Sequence, residues 1–322
     1  MISSTVYLCS LSFRGMPDAA GTSSTSLPAP SKLKIFVRRL LSFVILWTIV
    51  LTALFSSNRL VSDYVFLAII VFLAAAGLAE FYGLVEARDL VCFKRSGIFG
   101  GLLLMIGTFL NVTGWVGTSG SPARVNDFET SFLILFVLGL CLRQFFARSN
   151  TAGILAISTT LFGLMYVPWL LNFIQKINFF PRVQGHYYLL YFVLLTKFSD
   201  TGAYVIGSLV GRHKMIPRIS PGKTWEGFGG AILGSTLASL AFVYFFEPKM
   251  AGMNWRHAII LGIVLGVGAV VGDLIESIFK REAGVKDSGR FFPGIGGILD
   301  LLDSLLFNAP IMYLYLRHVL TR

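Results

Sequence analysis

The sequence predicts an all-α fold, a polytopic integral membrane protein with about nine transmembrane helices. Three observations carry this. Of 322 residues, 55% are hydrophobic and only 13% are charged, too little polar surface for a water-soluble domain of that size. The apolar residues gather into runs near the roughly 20 residues that a helix needs to cross a bilayer. The basic residues also alternate in density from one connection to the next.

The chain starts with a tail rich in Ser, Thr, Pro and Gly that lacks the long apolar core of a signal peptide. Residues 1–35 are therefore expected to form a disordered cytoplasmic tail. Spans are then expected at Leu40–Phe55, Leu60–Ala79, Gly97–Val116, Thr130–Phe146, Gly153–Ile174, Tyr187–Val210, Gly227–Phe246, Ala258–Phe279 and Ile298–Leu316. Only "SSNRL" separates the first two, which predicts a tight hairpin. With the N-terminus inside, the inner connections hold eighteen of the Lys and Arg residues and the outer ones eight, with Lys197 inside a span. Lys176 and Arg317 fall in the outer group. This asymmetry sets the C-terminus outside and accounts for the net charge of +11. Charge of this kind suits anionic headgroups and polyphosphates without selecting them. Cys9, Cys92 and Cys141 are scattered, and the four histidines form no ligand pair, so neither a disulfide framework nor a zinc site is expected.

Ionisable residues within spans say more, because burying a charge in hydrocarbon costs several kcal/mol unless it faces a partner, a cavity or an ion. The sixth span carries Lys197 and Asp200, three residues apart on one helical face. The eighth, "VVGDLIESIFKR", sets Asp273, Glu276, Ser277 and Lys280 in one stripe. The ninth, "GILDLLDSLL", places Asp300, Asp303 and Ser304 together after a glycine turn. Any one of these stripes reads as a salt bridge or an interhelical hydrogen bond. Together, their carboxylates outnumber their basic partners, chiefly Lys197 and Lys280, so either some are protonated or a cation sits among them. Hard oxygen ligands without His or Cys point to Mg²⁺ or a similar ion.

Two polar connections complete the pattern. "GRHKMIPRISPGKTWEGFGG" places Arg212, Lys214, Arg218 and Lys223 beside Ser220, Thr224 and Glu226. Its "GKT" is not a P-loop, because Pro217 stands where that motif needs glycine and no strand is expected before it. It remains a basic loop able to contact phosphate oxygens. "KREAGVKDSGRFFPGIGG" adds Lys280, Arg281, Lys286, Asp287 and Arg290, then glycines including Gly296 and Gly297. Those glycines allow close approach to a ligand, and the helix after them would offer its N-terminal amides to an anion. Basic groups and acidic metal ligands together form the pattern required for phosphoryl or nucleotidyl transfer. The pairs Gly262/Gly266 and Gly268/Gly272 are read as close helix packing.

"SIFKREAGVKDSGRFFPGIGGILDLLDS" resembles the C-terminal signature of the phosphatidate cytidylyltransferase (CDP-diacylglycerol synthase) family. There Ser-x-x-Lys-Arg, four residues, Lys-Asp, Pro-Gly-His-Gly-Gly and Asp-Arg-x-Asp follow one another. "SDTGAYVIGSLVGRHK" and "ISPGKTWEGFGGA" resemble two further segments, and "AEFYGL" a weaker fourth. The similarity is dense over 197–304. It implies a membrane enzyme in which phosphatidic acid attacks the α-phosphorus of CTP, giving CDP-diacylglycerol and pyrophosphate. It also implies that 181–322 forms the catalytic region behind the N-terminal transmembrane helices of 36–180.

By position in the motifs, the resemblance makes Asp273 and Asp300 the metal ligands, with Mg²⁺ and room for a second cation. Asp200, Asp287 and Asp303 become supporting acids, and Lys280, Arg281 and Lys286 the basic groups on triphosphate or phosphatidate. Ser220, Lys223, Thr224, Glu226, Ser277, Gly296 and Gly297 become substrate-binding. The partners implied are CTP, phosphatidic acid and membrane lipid, with no nucleic acid, and a homodimer is the expected assembly. The expected location is the bacterial inner membrane, with the site facing the cytoplasm. Two positions depart from the pattern: Ile295 replaces the signature His and Leu301 the signature Arg. They mark a divergent member and leave open a transferase acting on another membrane lipid, or a non-catalytic paralogue. A transporter is disfavoured, since neither inverted repeats nor interrupted helices in matching halves are seen.

Overall fold

The computed structural model describes residues 48, 51–52, 54–115, 122–147, 152–289 and 296–321. Among them, eight helices are long and apolar enough to cross a membrane. They are α1 (Arg59–Glu86), α2 (Lys94–Val112), α3 (Pro122–Phe146), α4 (Gly153–Asn178), α5 (Gly185–Val210), α6 (Trp225–Lys249), α7 (Trp255–Glu282) and α8 (Ile298–Leu320). These correspond in order to the last eight expected spans. The expected span Leu40–Phe55 lies mostly outside the described residues, as do the N-terminal tail and Ile295.

Side-chain caps set several helix starts by satisfying amides that have no partner in the first turn. Asn58 Oδ1 accepts from Leu60 N and Val61 N at 3.1 and 3.4 Å. Thr224 Oγ1 accepts from Gly227 N at 3.1 Å. Asn254 Oδ1 accepts from Arg256 N and His257 N at 3.0 and 3.1 Å. Within α4 the backbone widens into a π turn at Met165–Trp169, around Pro168. Proline lacks the amide and crowds the preceding turn, and the wider turn absorbs both defects. The sequence reading recognised no interrupted helix; a second π turn, Leu316–Leu320, closes α8 in the C-terminal half, after Pro310 within the same helix.

Several boundaries shift outward. Lys176, assigned to an outer connection, lies within α4, and Glu129, just short of the expected fourth span, lies within α3. Both are buried, because they pair with each other at 2.5 Å. Glu80 likewise falls inside α1, one residue past the expected end of its span.

α5, α6, α7 and α8 pack in sequence order as neighbours, and the small residues show how closely. A Cβ at Gly234 on α6 would lie 2.7 Å from Phe198 O on α5. One at Gly262 would lie 2.6 Å from Thr236 Cα on α6, and one at Gly272 would lie 2.8 Å from Asp303 O on α8. The two glycine pairs of α7 thus serve different neighbours, as packing contacts must where lipid gives no hydrophobic drive between helices. α7 and α8 are the most enclosed, with 56% and 61% of their apolar windows buried. The main apolar core draws on α1, α2 and α4 to α8, while Leu140 of α3 packs in a smaller cluster with Phe93 and Ala156.

The connection between α5 and α6 holds a departure from the all-helical expectation. It forms a small antiparallel hairpin, β1 (Lys214–Ile216) and β2 (Ser220–Thr224), with Lys214 opposite Thr224 and Ile216 opposite Ser220. A strand therefore does precede "GKT", contrary to the sequence reading, but "GKT" is itself part of β2 rather than a loop between strand and helix.

Candidate active site

Asp273 and Glu276 project from one turn of α7, and Asp303 from the facing turn of α8. One oxygen from each lies within 4.8 Å of the others. The α7–α8 contact makes this possible: with no side chain at Gly272, the backbone of α8 comes close enough to bring Asp303 beside the α7 stripe. Glu276 is fully buried, and its Oε1 accepts no hydrogen bond from the protein.

Three lysines surround these carboxylates. Lys280 Nζ lies 2.5 Å from Glu276 Oε2 and 2.6 Å from Asp300 Oδ1. Lys223 Nζ, carried over from β2, lies 2.5 Å from Asp273 Oδ2 and donates to Val270 O at 3.2 Å. Lys197 Nζ lies 3.6 Å from Asp200 Oδ2 and donates to Leu301 O at 3.4 Å. Counted as ionised, Asp200, Asp273, Glu276, Asp300 and Asp303 exceed Lys197, Lys223 and Lys280 by two negative charges, so either some of these acids are protonated or a cation sits among them. A divalent cation would balance the excess. Charge, all-oxygen chemistry and the orphaned Glu276 Oε1 fit a hard ion such as Mg²⁺; Asp273, Glu276 and Asp303 are the residues that would hold it.

Asp300 occupies a different place from the other expected ligand, Asp273. Its Oδ2 accepts from Gly297 N at 2.7 Å, Ser288 Oγ at 2.9 Å and Ser288 N at 3.1 Å, while Oδ1 takes Lys280. It ties the signature loop to the start of α8. The amides there are not free for an anionic substrate, as the sequence had suggested. Glu80 of α1 takes Ile298 N at 2.9 Å and Leu299 N at 2.8 Å, and it also accepts from Ser288 Oγ at 3.1 Å. Gly296 turns the chain into this cap at φ +115°, a left-handed conformation suited to glycine. A Cβ on Gly297 would strike Glu80 and Ser288.

The remaining expected residues separate into groups. Ser277 is buried on α7. Thr224 caps α6. Glu226 accepts from Arg212 N at 3.1 Å and from His213 Nδ1 at 2.6 Å, closing the base of the hairpin. Ser220 begins β2. Arg281 Nε donates to Ile219 O at 3.0 Å, fastening the hairpin to the end of α7. Lys286 and Asp287 are exposed on the loop before Ser288, away from these contacts.

Sequence reasoning missed Glu80 as a site residue and the pairing of Lys223 with Asp273. An acidic residue inside an apolar helix was the available signal for Glu80, lost because the span was ended at Ala79. Nothing local signals the Lys223 contact.

Residues 37–319 match the Cytidylyltransferase family. The chain is similar to the "Uncharacterized protein YnbB" of Escherichia coli (strain K12), 38% identical over 160 residues that cover 49% of this chain and 51% of that protein. It is similar to the phosphatidate cytidylyltransferase of Staphylococcus haemolyticus (strain JCSC1435), 34% identical over 221 residues, 68% of this chain and 78% of the relative. The phosphatidate cytidylyltransferase of Staphylococcus aureus (strain COL) is 45% identical over 137 residues, 42% of this chain and 51% of its own length. The match thus spans about half the length of the E. coli and S. aureus relatives. With the match running through all eight described spans and the carboxylate cluster between them, the chain belongs to the cytidylyltransferase family.

Proposed function

We propose that this protein is a phosphatidate cytidylyltransferase. An ionised phosphate oxygen of phosphatidic acid attacks the α-phosphorus of CTP. The new P–O bond forms as the bond to the bridging oxygen breaks, and the electron pair departs with pyrophosphate, leaving CDP-diacylglycerol in the membrane. The observation that carries this reading is the meeting of Asp273, Glu276 and Asp303 with Lys223 and Lys280 between two membrane helices. The names of the staphylococcal relatives support the choice of substrates.

Mg²⁺, when bound, supplies counter-charge to the triphosphate and to the leaving pyrophosphate. Lys223 and Lys280 exchange part of their carboxylate pairing for phosphate oxygens, and Arg281 and Lys286 draw the anionic substrates to the site. No proton has to be removed from the nucleophile, so the reaction does not require the His that Ile295 replaces; electrostatic stabilisation of the transferring phosphate carries the barrier. The basic residues of the connections favour a site on the cytoplasmic side of a bacterial inner membrane. A homodimer rests on family resemblance alone, and nucleic acid has no role in this reading.

The test is transfer of radiolabelled CMP from CTP to phosphatidic acid by purified protein in detergent, with Mg²⁺ and with EDTA. Metal-dependent label in CDP-diacylglycerol is expected. Label appearing only with another lipid phosphate would replace phosphatidic acid as acceptor, and no label with any lipid phosphate would overturn the enzymatic reading.

A further inference from the structure

Lys197 is not used in the reaction described above, yet it is the least committed of the three lysines at the carboxylate cluster. Its Nζ lies 3.6 Å from Asp200 Oδ2 and 3.4 Å from Leu301 O, both longer than a strong hydrogen bond, whereas Lys223 and Lys280 hold their carboxylates at 2.5–2.6 Å. The side chains around it also mark where the cluster is open. Those of Lys197, Asp200 and Asp273 are 32%, 45% and 37% exposed, against 0% for Glu276, 13% for Lys280 and 12% for Asp300. The mouth of the site is therefore on the α5 side, with Lys197 at its rim. The residue whose carbonyl Lys197 touches is Leu301, where the signature has Arg, so a loosely held lysine and a lost cation meet at one point.

We propose that Lys197 supplies, from α5, the cation that the signature places at position 301, and that it binds a phosphate oxygen of the phosphatidic acid acceptor. The assignment rests on the function proposed above and gives one of its two phosphate-bearing substrates to a named residue. Position selects the lipid. Lys197 is twelve residues from Gly185 and thirteen from Val210, the middle of a 26-residue spanning helix, and Phe198 beside it is 48% exposed. A lipid reaches that level sideways from the bilayer. A triphosphate arrives from water, past the β2 strand that carries Lys223. A charge at mid-span costs several kcal/mol unless it meets a partner, and an anionic phosphate oxygen at the open mouth is a stronger partner than Asp200 at 3.6 Å.

The test uses the full chain in detergent with Mg²⁺, varying phosphatidic acid as a mole fraction of the micelle and, separately, CTP. Lys197→Met should raise the KM for phosphatidic acid about tenfold, the loss of one charge-assisted hydrogen bond, with the KM for CTP unchanged. Lys197→Gln, which keeps a polar group beside Asp200, should show the same shift, and Lys197→Arg should keep the wild-type value. Leu301→Arg should reverse most of the rise in the Lys197→Met background. Removing the charge of Asp200 as well, in Lys197→Met/Asp200→Asn, should leave the KM for phosphatidic acid high. Recovery in that double variant, or a fall in kcat with both KM values unchanged, would reduce Lys197 to an ion-pair partner and overturn the assignment. A rise in the KM for CTP alone would overturn it in favour of the nucleotide. Binding of radiolabelled phosphatidic acid without CTP or metal separates this test from that of the function itself. Wild-type protein that binds the lipid more tightly than Lys197→Met but transfers nothing to it would sink the transfer reaction and keep the site, whereas equal binding by the two would sink the site.

Discussion

Asp300 and Asp303 are three residues apart on one helix and have different surroundings. Asp303 faces Asp273 and Glu276, whereas Asp300 is held by Ser288, Gly297 and Lys280. Asp273→Asn, Glu276→Gln and Asp303→Asn should each raise the Mg²⁺ concentration needed for half-maximal turnover. Asp300→Asn should lower the turnover rate while leaving that midpoint in place. A shifted midpoint in Asp300→Asn would return it to the metal ligands, where the signature resemblance had set it. Helical spacing showed that these acids share a face but could not rank them, because the groups that claim Asp300 come from a loop and from another helix. Glu80 supports the site at one remove, through the amides of α8. Glu80→Gln should lower the turnover rate with KM for CTP unchanged, because it weakens the cap that fixes the start of α8, the helix carrying Asp303.

At the scale of elements, the α7–α8 contact is the feature on which the site depends. Gly272→Ala would place a methyl carbon 2.8 Å from Asp303 O and force the helices apart. Overpacking of this kind costs about 1–3 kcal/mol, to be read as a lower unfolding temperature in detergent together with a weakened Mg²⁺ response. Gly229→Ala on α6, where no neighbour lies within 4 Å of the added carbon, should leave both intact. The helices were legible because each is a long apolar run, and their order was correct throughout the described chain. The β1–β2 hairpin was not. Strands of three and five residues containing Pro221 and Gly222 carry no alternating pattern, and the hairpin is held by Glu226 and Arg281, which are tertiary contacts. Its consequence at the site, Lys223 on Asp273, was hidden for the same reason.

For the whole molecule, the carboxylate cluster and Arg317 lie towards opposite ends of α8, so they should face opposite sides of the membrane. In a variant with Cys9, Cys92 and Cys141 replaced by serine, Lys286→Cys should react with a membrane-impermeant maleimide only when the cytoplasmic side is open, and Arg182→Cys only from the other side. Labelling of both from one side would contradict the arrangement. The charge bias between connections was readable from sequence even though Lys176 and Arg317, both counted as outer, belong inside helices, since removing cations from the poorer side does not reverse it. The cap that Glu80 places on α8 has a further consequence, for biogenesis. Its partners Ile298 and Leu299 lie 218 and 219 residues downstream, and at about 5–20 residues per second of synthesis the wait is about 10–40 s. Through that interval α1 carries an acid whose final partners have not been made, so early spans should remain loosely associated with the insertion machinery until the last helix arrives to close the bundle.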